Sequence, residues 1–212
     1  KEVYRMGGAH GVAALAYGLE NLTPVDIIVG PGNLFVALAK KLVYGQVAID
    51  SIAGPSEVVV IADQTTRADY TAADLLAQAE HAPGASILVT WSEEVLEKTA
   101  KELDRQVATL SREDLTRQSL EDFGALILVK DQDEAVEITN LICPEHLHIA
   151  VEEPYELQRR LTTAGATFLG NYTPVALGDY VAGPSHTLPT AGTARWASGL
   201  CSNDFLRSSS VL

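Results

Sequence analysis

Residues 142–149 read ICPEHLHI. Glu145 and His146 stand side by side after a proline, where a helical period gives way to a strand-like apolar run. A glutamate can activate a water, and a histidine can take a proton from an alcohol near neutral pH. Neighbouring residues on a strand point to opposite faces. The two serve one cleft only if the junction is irregular, which Pro144 favours. The other use of such a pair is an ion pair tying the helix end to the sheet.

Further candidates lie on both sides of this stretch. In AQAEH at 77–81, Gln78 and His81 are three apart on a predicted helix and share a face with Asp74. A neutral imidazole and an amide oxygen can both ligate a metal; a histidine at a helix end also serves as a cap. Asp179 and His186 fall in the Gly-rich run GDYVAGPSH. Either can complete a metal site, and they equally fit an Asx turn and a surface histidine. GPGN at 30–33 follows a strand and opens a helix, the place where a phosphate meets a helix N-terminus. RMGGAHG at 5–11 follows a possible strand, but neither stretch has the GxGxxG spacing. Ser56 in AGPSE can bond a ligand or cap a turn.

The elements needed to position these residues are legible as alternating strands and helices. DIIVG (26–30), EVVVIAD (57–63), ASILVTW (85–91), GALILVKD (124–131), HLHIAV (146–151) and ATFLGNY (166–172) read as strands. Helical periods lie between them, over LFVALAKKLVYG, 67–82, 92–110, DEAVEITNLI and YELQRRLTTAG. The clearest is 92–110, with Ser92 as N-cap, Glu93 and Glu94 in its first turn, and Val95, Thr99, Leu103, Val107 and Leu110 on one face. Residues 111–123 read as a polar connection, and the Gly/Pro/Ser/Thr-rich stretch from 173 as irregular. This alternation predicts an α/β fold with layered, mostly parallel sheets and flanking helices.

Composition narrows the function. The 212 residues carry a formal net charge of −13 and no basic cluster, which excludes an ordinary nucleic-acid binder. Apolar residues make up 47%, with no run long enough for a membrane span and no leader-like start. Cys143 and Cys201 form no CxxC motif; both are expected as small buried hydrophobes in a reducing, cytoplasmic setting.

Taken in order, GPGN, IAGPSEV, AADLLAQAEH, PEHLHI, GDYVAGPSH and SGL form a series that resembles the histidinol dehydrogenase family from about Val3 to the end. The resemblance implies an incomplete Rossmann-like fold, with 1–55 a partial NAD-binding lobe, 56–195 an α/β lobe carrying the zinc and catalytic residues, and 196–212 the start of a C-terminal tail. It implies NAD-dependent oxidation of L-histidinol to L-histidine through an aldehyde, by a zinc-containing homodimer. It places zinc at Gln78, His81 and Asp179, and the acid–base pair at Glu145 and His146. It places substrate contacts at Ser56 and, with the zinc ligands and His146, at His186. Cofactor contacts fall at His10 and Asn33.

The resemblance also marks departures. Family members extend further at both ends, so the chain is expected to be incomplete and inactive alone, with three protein ligands to zinc at most. His10 stands where a Gln is usual, and Cys143 where an Ala is usual. Two other readings are a non-catalytic ligand- or partner-binding domain on this fold, and a related zinc-dependent amino-alcohol dehydrogenase. The joint presence of ligand and proton-handling residues argues against the first.

Overall fold

The computed structural model describes residues 2–212. The chain divides into two compact units, one formed by the residues up to Gly54 with Leu200–Leu212, the other by Pro55–Gly199.

The first unit pairs two short parallel strands, β1 (Ile27–Ile28) and β2 (Ala48–Ile49), with helices α1 (Gly8–Tyr17) and α2 (Leu34–Val43). Val12, Ala16, Ile28, Ala39, Val43 and Val47 form its core. The expected strand before RMGGAHG is absent among the described residues; α1 begins inside that stretch. Asn33 caps α2, its Oδ1 accepting from Val36 N at 3.1 Å. Lys40, almost fully buried, pairs with Asp50 and donates to Gly30 O at 3.0 Å, while Asp50 accepts from Gly30 N at 2.7 Å. A buried charge must be paired, and this pair holds both the N–H and the carbonyl of Gly30, which opens GPGN.

The second unit is a five-stranded parallel sheet. Its strands are β3 (Ser56–Ala62), β4 (Gly84–Thr90), β5 (Gly124–Leu128), β6 (His146–Ala150) and β7 (Ala166–Leu169), in the order β5-β4-β3-β6-β7. Helices α3 (Ala68–Ala79), α4 (Glu93–Val107), α5 (Glu113–Phe123), α6 (Gln132–Ile142) and α7 (Pro154–Gln158) connect them, and α8 (Ala176–Tyr180) follows β7. Strand alternation explains the two-sided core. Val58, Val60 and Ala62 pack with Leu75 of α3 and Val95 of α4. Val59 and Ile61 pack on the other face with Ala135 and Val136 of α6 and Leu157 of α7.

Two connections differ from the sequence reading. Residues 113–123 form a helix whose buried positions are Thr116 and Ser119, so no apolar stripe announces it. Ser119 Oγ accepts from Gly84 N and donates to Gly84 O, both at 3.0 Å, joining α5 to the start of β4. Helix α7 stops at Gln158 instead of running to 165. There Asn140 takes over the backbone bonds, donating to Arg160 O and accepting from Thr162 N. Cys143 is buried as expected, but Cys201 is exposed.

Strand order reverses between β3 and β6, where α/β sheets commonly bind ligands beyond the carboxyl ends of the strands. Here that crevice holds the protein's own groups. Asp63, buried, accepts from Glu152 N at 2.9 Å and from Thr65 N at 2.8 Å, and Thr66 Oγ1 bonds Ala150 O.

Candidate active site

The opposite, amino rim of the same two strands gathers the titratable residues. Helix α6 ends at Cys143, whose φ of 53° puts it in the left-handed region and turns the chain before Pro144. Glu145 lies in the bend and His146 opens β6. The irregular junction lets both side chains reach the backbone of one residue, Glu57 on β3. Glu57 N donates to Glu145 Oε2 at 3.1 Å, and Glu57 O lies 3.2 Å from His146 Nδ1. A carbonyl oxygen only accepts, so Nδ1 carries the hydrogen in this bond, and in the neutral ring Nε2 keeps its lone pair.

Burial moves the two groups in opposite directions. It pushes the Glu145 carboxyl from 4.5 up to about 7, against the Glu57 N–H and the Ser56 hydroxyl, which favour the carboxylate; the charges of Glu57 and Asp179 add to the rise. Burial pulls the His146 imidazole below its usual range, with His81 acting the same way and the Asp179 charge opposing. His146 Nδ1 and Glu145 Oε2 are 3.7 Å apart, beyond hydrogen-bond distance. Burial drives both towards the neutral form. A carboxyl near 7 beside a neutral imidazole can give or take a proton near physiological pH.

Around the pair stand Ser56, hydrogen-bonded to Glu145, and His81 and Asp179, close enough to shift His146 electrostatically. Helix α3 ends at Ala79, so His81 lies in the turn after it, its N–H bonded to Gln78 O, rather than on the helix face expected for it. Gln78 is buried, and its side-chain Nε2 has no hydrogen-bond partner. Gly84 makes room for this end of α3: a Cβ there would lie 2.1 Å from Gln78 O. His186 is exposed and, among the described residues, no hydrogen bond or ion pair joins it to the others. His10, exposed on α1, and Asn33 belong to the first unit.

Glu57 was not singled out from the sequence. Its backbone serves both candidates, and its half-buried carboxylate accepts from Ala191 N at 2.9 Å, tying down the LPTAG loop. Burial lifts this carboxyl above its usual range as well.

The family model for histidinol dehydrogenase matches residues 1–212. The chain belongs to the histidinol dehydrogenase family. The histidinol dehydrogenase of Rhodopirellula baltica is 61% identical over 211 residues, covering 100% of this chain and 46% of that protein. The one from Aquifex aeolicus is 54% identical, covering 99% and 50%. The crystal structure of the Elizabethkingia anophelis histidinol dehydrogenase superposes with a TM-score of 0.91 at 40% identity, over 94% of this chain and 46% of that one. The chain thus spans about half the length of the relatives it matches.

Among the described residues, no group of three or more His, Cys, Asp and Glu side chains is arranged to hold a metal ion. The set implied by the resemblance contains only two of those types, His81 and Asp179, and relies on the amide of Gln78. That amide is buried with an unpartnered atom. The oxygen of the same amide is the atom that could serve as a ligand. An N/O set of three is the open kind found in catalytic zinc sites. No helix is long and apolar enough to cross a membrane among the described residues.

Proposed function

We propose that this site carries the proton-transfer chemistry of an L-histidinol dehydrogenase, which oxidises the alcohol to the aldehyde and then to L-histidine. The observation that carries the reading is the convergence of Glu145 and His146 on the Glu57 backbone, one shifted up and the other down.

His146, held through Nδ1, presents Nε2 to the substrate hydroxyl and takes its proton as hydride leaves the carbinol carbon. In the second step the aldehyde adds water. Glu145 in its carboxylate form removes a proton from that water, and the resulting hydrate anion loses a second hydride to give the carboxylic acid. His10 and Asn33 would hold NAD⁺, which would supply the hydride acceptor. Gln78, His81 and Asp179 would hold zinc, which supplies a Lewis acid to fix the amine and imidazole of the substrate. Ser56 and His186 complete the substrate contacts. A second copy of the chain is the proposed partner, in a cytoplasmic enzyme.

Titration calorimetry tests the reading. The chain should bind Zn²⁺ saturably, and L-histidinol should then bind the zinc-loaded form. His81→Ala should abolish both. Equal Zn²⁺ binding by the variant overturns the ligand assignment.

A further inference from the structure

A second histidine on β6 is built differently from His146. His148 Nδ1 lies 2.7 Å from Asp74 Oδ2, and its Nε2 lies 2.9 Å from Gly170 O. Both ring nitrogens are thus engaged by the protein's own groups, which separates His148 from His146 with its open Nε2. The other oxygen of Asp74 accepts from Val175 N at 3.3 Å. Side-chain exposure is only 3% for His148 and 7% for Asp74.

We propose that Asp74 and His148 form a positioning pair that holds α3, β6 and α8 in register around the candidate site. Asp74 precedes Gln78 by one turn of α3. His148 follows His146 by two residues, on the same face of β6. Val175 is the N-cap of α8, which carries Asp179. A single carboxylate therefore ties together the three elements that present Gln78, His146 and Asp179. A buried ionic pair is no more stable than a well-packed apolar one; what it adds is direction, since each bond fixes an angle as well as a distance. Groups standing behind metal ligands act in this way. The zinc part of the inference rests on the function proposed above.

The experiment uses the 212-residue chain with ¹⁵N-labelled histidine, amide exchange and Zn²⁺ titration. In the wild type both ring nitrogens of His148 should show hydrogen-bonded ¹⁵N shifts; a solvent-like Nδ1 overturns the pair. In Asp74→Ala, which removes both acceptor oxygens, Val175 amide exchange should rise about ten-fold or more, and Zn²⁺ affinity should fall about 10- to 100-fold. The amides of Val58–Ala62 should stay protected. The double replacement Asp74→Leu with His148→Phe removes the pair while filling its space, and should show the same losses in a folded chain. Wild-type exchange at Val175 together with wild-type Zn²⁺ affinity in either variant refutes the proposal. Should the wild type bind no Zn²⁺, the zinc reading falls, and Val175 exchange and the His146 ring tautomer alone decide the positioning role.

Discussion

Replacing Glu145 by Gln isolates the cost of burying its charge. Folding lifts this carboxyl from 4.5 to about 7, chiefly by burial. At about 1.4 kcal/mol per pKa unit, ionised Glu145 weakens the fold by about 3 kcal/mol once the pH is above that range. The folded state holds the proton more tightly than the unfolded one. The carboxyl's contribution is therefore fully present below 4.5 and is lost as the pH rises through about 7. Gln has the shape of the protonated acid and cannot ionise. Wild type and Glu145→Gln should match in stability near pH 4.5, and the variant should be more stable by about 3 kcal/mol near pH 8. Urea unfolding across this range reads the difference directly. His146 acts in the other direction, because its lowered folded value withdraws stability as the pH falls below 6.5. It is present in both proteins, so its effect drops out of the comparison. A difference that stays constant over the whole range refutes the buried-carboxyl argument.

In a full-length histidinol dehydrogenase carrying this segment, Glu145→Gln should also slow NADH formation from the aldehyde about 10²-fold or more while leaving the alcohol step much less affected; equal losses in stopped-flow assays of the two substrates would reject the division of labour. Ser119→Ala leaves both polar atoms of Gly84 without their buried partner, and should cost about 1–3 kcal/mol in urea unfolding. Gly84→Ala drives a Cβ against the Gln78 carbonyl. It should cost about 1–3 kcal/mol by the same measurement and weaken Zn²⁺ binding, with unchanged calorimetric affinity as the contrary result.

The sequence made the central strands easy to read, since Val58–Ala62 packs on both faces and leaves an unbroken apolar run. Helix α5 was hidden because it meets the sheet through Thr116 and Ser119, which carry no hydrophobic period. The early end of α7 depends on Asn140, a residue twenty positions away whose side chain replaces helical bonds. Glu145 and His146 stood out as titratable residues at an apolar junction. The role of Glu57 could not be read, because its N–H and C=O do the orienting and every residue has those. Asp74 and His148 each lay at the expected spacing from a candidate, four before Gln78 and two after His146. What no local pattern held was their meeting, which requires β6 to lie beside β3.

The chemistry gathers on the amino rim of the sheet, so the opposite rim is open to engineering. The turns at 91–92 and 129–131 leave the carboxyl ends of β4 and β5, and contain none of the candidate residues. A fluorophore or affinity handle on the exposed side chain of Lys130, between the buried Val129 and the α6 cap Asp131, would sit a full strand length from the Glu57 backbone. Such a label could follow folding or assembly without entering the reaction it is meant to watch.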